Sequence, residues 1–441
     1  MSLSLGLSLV ITGILLIIAL TSWLKINSFL SLFLVSLLLA LVVLPFPDIV
    51  PALKKGFGDT MGSIGLIIIF GAVIGVTLDK TGATLSIAEF ILRITGKGNA
   101  SRAIAITGFI TGLPIFCDSG FIVLSGINNS LTIKSNTNKV FMATALACAL
   151  YSVHCLIPPH PGATAAAGII GANIGNLVLI GILVAIPASV AGYVWARWMT
   201  RKLKPDETVS HQETADEIRI LPSPGKSILP VLIPLVLITG RSLSGFIVGS
   251  DQPAVAKLIT FCGDPVIALF IGMVLAYVIL TDLSRKTMND LLSAAIEKAG
   301  PIIIITAAGG IFGAIIKATG TGEQAGVFLS QTRLGLLIPF LLAFILKTAQ
   351  GSSTVAIITA ASIIGPMLQS LGFEGESGKM LVMLAMGAGS MMVSHANDSY
   401  FWVITNFSGI QANDTLKVYS TSTIIMGITS FLIVLILSVV I

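Results

Sequence analysis

Apolar runs that can serve as the cores of membrane spans recur along the whole chain: Leu5 to Trp23, Phe29 to Pro45, Leu177 to Trp195, Ile228 to Ile238, Pro265 to Leu280 and Thr423 to Val440. A helix needs roughly 20 apolar residues to cross the hydrocarbon core of a bilayer. The expected fold class is therefore all-α and polytopic, a multi-pass membrane protein. Composition agrees. The 441 residues are 55% hydrophobic and 10% charged, with a mean hydropathy of +0.99, where an ordinary soluble domain is about 25% charged. The first span has no basic leader and no small-residue cleavage site, so it is expected to be a retained helix.

The charges give topology. The net charge is +5, but the basic residues are scattered between spans, which argues against a nucleic-acid partner. The longest polar insert, Arg201 to Lys226, carries Arg201, Lys202, Lys204, Arg219 and Lys226. The positive-inside rule places it in the cytoplasm, and Asp282 to Lys298 is expected on the same side. The four cysteines lie in apolar surroundings without metal-type spacing and read as small hydrophobes. No metal and no cofactor is expected.

The chain also echoes itself. GAVIGVTLDKTGATLSIAEFI (Gly71 to Ile91) aligns without a gap on GGIFGAIIKATGTGEQAGVFL (Gly309 to Leu329), matching Gly75 with Gly313 and Thr81-Gly82 with Thr319-Gly320. Further on, the stretch ending at His154 resembles the one ending at His395. Two matched pairs in the same order point to a duplication. The chain then divides into N-terminal transmembrane helices (1–53), a first repeat (54–200), the charged cytoplasmic loop (201–226), linking transmembrane helices (227–284) and a second repeat (285–441).

Each repeat contains two places where polar residues interrupt a span: Gly112 to Phe121 and His154 to Gly162 in the first, Lys347 to Val355 and Ser394 to Trp402 in the second. Irregular backbone at membrane depth is tolerated only where it is buried in protein or lines an aqueous cavity. Secondary transporters use that arrangement, with broken segments from two repeats meeting near the midplane.

The chemistry sits in these four places. Asp118 is an acid at membrane depth, where low dielectric disfavours the charged carboxylate and suits uptake and release of a proton. The competing reading is a structural carboxylate bonded to the amides of a broken helix. Lys347 precedes Gln350, Gly351, Ser352, Ser353 and Thr354, a run in which glycine admits close approach, hydroxyls donate, and a helix starting at the serines aims its positive end at an anion. Helix packing would use the same small residues. His154, His160, His395 and Asp398 are the remaining titratable groups, and any histidine there could carry a proton or simply be a hydrogen-bonded structural group. A zinc site at His154 and His160 lacks further ligands. A Ser394-His395-Asp398 triad places its members too close together on one segment. Pro158, Pro159 and Pro161 forbid helix, so the chain is expected to run extended there, turn at Pro161-Gly162, and begin a half-helix over Ala163 to Gly171. Asn397-Asp398 plays the corresponding part in the second repeat by polar capping.

Together these four segments resemble the gluconate permease (gluconate:H+ symporter) family. Its PLFFEVGF-like segment is matched by Pro114 to Phe121, H-x-x-x-PPHPGP by His154 to Ala163, R-x-AQGS-x-TVA by Lys347 to Ala356, and SH-x-ND-x-GFW from Ser394 to Trp402. The resemblance implies an inner-membrane carrier of small hydroxylated acids such as gluconate, related sugar acids and glycerate, with D-serine in one branch. It also implies inverted repeats with re-entrant hairpins, a scaffold and a moving transport domain, an elevator-like mechanism and a homodimer in membrane lipid. On this reading the substrate-binding residues are Asp118, Ser119, His154, His160, Gln350, Ser352, Ser353, Thr354, Asn397 and Asp398, with Asp118 also carrying the coupled proton. Sodium coupling remains an alternative, and a channel or an intramembrane enzyme are rival classes that leave the duplication unexplained. The sequence departs from the family pattern where Asp118 replaces the usual glutamate, Lys347 the usual arginine, Ala163 a proline and Tyr400 a glycine. Lysine lacks arginine's bidentate fork, and tyrosine fills space that glycine leaves empty, so the preferred acid is open to differ from gluconate, a smaller acid being one such alternative.

Overall fold

A computed structural model of the chain describes residues 3–95, 99–201, 221–247, 253–318 and 326–441 apart from 329 and 333. Among the described residues there is no β-strand, and six segments are long and apolar enough to cross a membrane. Most of the charged insert, and the Thr319-Gly320 pair of the second repeat, lie outside the described residues.

The helices run in order as α1 (Leu3–Ile18), α2 (Ser28–Val43), α3 (Phe46–Lys80), α4 (Ala83–Thr95), α5 (Ala100–Gly112), α6 (Cys117–Lys134), α7 (Lys139–Leu156), α8 (Pro161–Ile170) and α9 (Ile174–Thr200). After the insert come α10 (Pro224–Ile247), α11 (Pro253–Cys262), α12 (Pro265–Tyr277), α13 (Arg285–Ala318), α14 (Leu337–Gln350), α15 (Ser353–Ile364), α16 (Glu376–Met391), α17 (Ser399–Ser408) and α18 (Ala412–Val440). One order of elements occurs twice. A long helix (α3, α13), a pair of half-helices (α5–α6, α14–α15), a broken helix (α7–α8, α16–α17) and a full span (α9, α18) follow one another in both parts. The boundary drawn at 53/54 falls inside α3, a continuous helix of 35 residues.

Each break has a local cause. The α7–α8 break spans Ile157 to His160, and the helix restarts at Pro161, two residues earlier than expected. Proline lacks an N–H that the first helical position would leave unpaired, and its fixed φ suits that position; Pro158 and Pro159, joined by a cis bond, make the turn instead. Gly351, at φ +84°, ends α14, and Ser352 caps α15 by accepting from the Val355 amide at 3.3 Å. Asp398 caps α17, its carboxylate accepting from the Tyr400 amide at 3.0 Å. With 13, 14, 12, 10 and 10 residues, α5, α14, α15, α8 and α17 reach only about 15–21 Å at 1.5 Å per residue, short of the hydrocarbon thickness.

Packing is reciprocal between the two parts. The half-helix α8 lies on α15, and α6 lies on α17. The long helices α3 and α13 run antiparallel, Gly56 meeting Gly310 and Ala314 at one end while Lys298 reaches Asp79 at the other. The first segments of the broken helices, α7 and α16, are antiparallel as well: Gly387 lies against the Cys155 carbonyl, and the Tyr151 hydroxyl donates to the Ser390 carbonyl at 3.4 Å. Every residue of α7 from Val140 to Leu156 is buried. A helix apolar on all sides with no exposed face is wrapped by protein, and α7 thereby becomes the axis around which the breaks gather.

Candidate functional site

Three helix N-termini converge on one cavity of about 190 Å³. Phe116, Cys117 and Asp118 come from the start of α6, Ser352, Ser353 and Thr354 from the start of α15, and Asp398, Ser399 and Tyr400 from the start of α17. Tyr151 and His154 close it from α7, and Ile302 and Ile305 from α13. Each helix start presents unpaired N–H groups and about half an elementary positive charge. Helix starts so directed favour negative charge in the space between them.

Two charged groups in this region already have partners. Lys347, fully buried, donates from Nζ to Asp398 Oδ2 and to the Gly351 carbonyl, each at 2.5 Å. The Ser394 hydroxyl also donates to Asp398 Oδ2. The Asp398 carboxylate therefore spends its acceptors on Lys347, Ser394 and the α17 cap, and its charge is neutralised. Lys347, which precedes the serine run in the sequence, joins the interruption at Lys347 to Val355 to the one at Ser394 to Trp402.

Asp118 is different. Its Oδ1 is buried without a hydrogen-bond partner, in a cavity wall whose other charges are paired. His154 Nε2 lies 3.2 Å from Thr354 Oγ1, linking the broken helix α7–α8 to the serine run at the start of α15, and its Nδ1 is likewise buried and unpartnered. Buried polar atoms of this kind are rare and costly in a native interior, and both of these lie on side chains of the cavity wall.

Six of the ten residues picked out from the sequence line this cavity: Asp118, His154, Ser352, Ser353, Thr354 and Asp398. The other four are not among its lining residues. Ser119 accepts a hydrogen bond from Lys298 Nζ at 3.1 Å. His160 donates from Nε2 to the Gly112 carbonyl at 2.6 Å, tying together the interruptions at Gly112 to Phe121 and His154 to Gly162. The Gln350 amide nitrogen lies 3.5 Å from the Thr21 hydroxyl, and exposed Asn397 donates to the Thr348 carbonyl at 2.8 Å. Sequence reasoning passed over Phe116, Tyr151 and the α13 isoleucines, and marked Tyr400 only as a space-filling departure from the family pattern. The isoleucines sit in an unbroken apolar run that carries no local signal.

Close approach between the breaks depends on glycine. A Cβ on Gly351 would overlap the Asn397 carbonyl, and the left-handed φ there already disfavours any side chain. Gly351→Ala is expected to lower stability by about 1–3 kcal/mol, read as a lower melting temperature in detergent; an unchanged melting temperature would show that the two segments can separate freely.

Helical spans broken at polar points, with the breaks gathered around a polar cavity inside the bundle, define a multi-pass membrane protein built to pass a small solute. Comparison with known proteins gives the family. The GntP family permease model matches residues 5–440, and the chain belongs to that family. It is 30% identical to the inner membrane permease YgbN of Escherichia coli K12 over 97% of both chains. It is 31% identical to that organism's high-affinity gluconate transporter, over 98% of this chain and 99% of the transporter, and 29% identical to its D-serine transporter DsdX, over 96% of both. The protein is thus an inner-membrane permease and not an enzyme.

Proposed function

We propose that the chain is a secondary active transporter importing a small hydroxylated monocarboxylate, such as gluconate, a related sugar acid or glycerate, by symport with protons. The observation that carries this reading is the convergence of three helix N-termini and the unpartnered Asp118 on one cavity. Amides and hydroxyls at Ser352, Ser353, Thr354 and Ser399 suit a carboxylate with neighbouring hydroxyls. A substrate carboxylate and an ionised Asp118 sharing so small a space would repel each other. A proton on Asp118 removes that repulsion, so anion and proton favour each other's binding, and that mutual preference is coupling in thermodynamic terms.

The relatives named for gluconate and D-serine transport support a cargo bearing both carboxylate and hydroxyl groups. Tyr400 in the cavity wall, its hydroxyl donating to the Ala147 carbonyl at 3.2 Å, favours the smaller acids. A second reading has its own support. An ionised Asp118 with a free oxygen would hold the ammonium of D-serine or another small hydroxy amino acid, and sodium would then be the alternative coupling ion.

On this proposal Asp118, His154, Ser352, Ser353, Thr354 and Asp398 form the binding wall, while Ser119, His160, Gln350 and Asn397 brace it from outside. The antiparallel course of α3 against α13 and of α7 against α16 supports inverted repeats with re-entrant hairpins α5–α6 and α14–α15. An elevator-like movement of hairpins and broken helices against a scaffold, in a homodimer, is the mechanism proposed with it.

Uptake of labelled gluconate, glycerate and D-serine into proteoliposomes tests the substrate class. Saturable uptake of a hydroxy acid, inhibited by other hydroxy acids and not by an uncharged polyol, is expected. Equal inhibition by the polyol would mean that the helix N-termini do not read a carboxylate.

A further inference from the structure

The cavity has a charged neighbour that the proposed binding wall does not use. Lys298 lies on α13 one turn before Ile302, and Lys298, Ile302 and Ile305 share one helix face by their spacing of four and three. The two isoleucines line the cavity, so Lys298 continues that wall in the direction of the start of α13. It is also the last charged residue before the apolar run 299–316. Its partner Asp79 closes the apolar part of antiparallel α3. Both therefore stand at the same edge of the apolar layer, and their side chains are 41% and 23% exposed.

The ammonium lies beside the cavity wall, bonded to the residue that follows Asp118. Lys298 Nζ donates to Ser119 Oγ at 3.1 Å, next to Asp118, while Asp79 Oδ2 is 3.9 Å away. A separation of 3.9 Å is beyond a hydrogen bond, so the carboxylate balances the charge without saturating its three donors. A part-exposed ion pair of this kind adds little to stability. Lys347, the other cation near the wall, is buried and taken up by Asp398 and the Gly351 carbonyl.

We propose that Lys298 is a substrate-contacting residue at the mouth of the cavity, its ammonium exchanging Asp79 for the carboxylate of the organic acid as the acid passes between cavity and water. The assignment rests on the reading of the cavity as an organic-acid site. By the charge of the flanking segments this mouth is the cytoplasmic one, where the acid would be released. The Asp79 carboxylate then serves two ends: it holds Lys298 in place when the site is empty, and it competes the departing acid off the ammonium.

The test is exchange of labelled gluconate, with glycerate as second probe, across proteoliposomes at equal pH on both sides. Lys298→Met keeps the stem and removes the charge, Lys298→Arg restores a cation, and Lys286→Met removes a charge from the exposed start of the same helix as a control for general surface potential. A rise in KM of roughly three- to tenfold with Vmax within about twofold for Lys298→Met, reversed in Lys298→Arg and missing in Lys286→Met, supports the assignment. A KM unchanged in Lys298→Met, a fall in Vmax alone, or an equal rise in Lys286→Met overturns it. If the wild-type protein exchanges neither acid, the organic-acid reading of the cavity falls first and this assignment with it.

Discussion

Asp118→Asn is expected to abolish accumulation of substrate against a gradient while leaving exchange of substrate across the membrane largely intact. Asparagine has the shape of a protonated aspartate and cannot lose its charge-neutral form, so the cavity would always resemble the proton-loaded state. In that state the repulsion between Asp118 and the substrate carboxylate is absent, and the three helix N-termini remain in place to hold the anion. The variant would bind and move the acid but could no longer tie that movement to a proton. The internal-to-external ratio of labelled acid under an inward proton gradient should fall to about one, with exchange rates within a fewfold of wild type by the modest size of the structural change. A variant that still concentrates substrate with the pH gradient would place the proton elsewhere, and His154, with its unpartnered Nδ1 in the same wall, would be the next residue to substitute.

The second large effect is expected at a residue that never touches the substrate. Lys347 and Asp398 form an ion pair with side-chain exposures of 0% and 6%, and removing one member of such a pair leaves an uncompensated buried charge. The typical cost is about 3–5 kcal/mol, a large share of the stability of most folded proteins. Lys347→Met should therefore show a strongly lowered melting temperature in detergent and lose transport, because Asp398 caps α17 and fixes the third helix start of the cavity. Lys347→Met combined with Asp398→Asn removes both charges and retains a capping side chain. The double variant is expected to regain most of the lost stability. Equal instability in the single and double variants would mean that Lys347 acts through its bond to the Gly351 carbonyl, not through the pair.

The fold was legible in the sequence where the physics is local. Apolar runs of membrane length and three prolines between His154 and Gly162 are enough to place spans and a break, and Asp398 caps α17 as its position suggests. What the sequence could not show is how the breaks face one another. Lys347 and Gln350 both precede the serine run, yet the end of α14 at Gly351 turns the lysine inward to Asp398 and leaves Gln350 near Thr21. Ser119 follows Asp118 directly, but on a helix adjacent residues point about 100° apart, and Ser119 meets Lys298 while Asp118 faces the cavity. Tyr151, Ile302 and Ile305 enter the wall from distant helices, a fact that depends on packing alone. Directions of side chains around a break are tertiary information, and a pattern of residue types along the chain does not contain them.

On the proposed function an organic acid and a proton occupy the cavity together. The most direct measurement of this is uptake of labelled hydroxy acid into proteoliposomes, with an inward proton gradient, with an inward sodium gradient, and with neither. Transient accumulation above the external concentration is expected with the proton gradient alone, collapsed by a protonophore. Accumulation driven by sodium alone, or equilibration that ignores both gradients, would contradict that function.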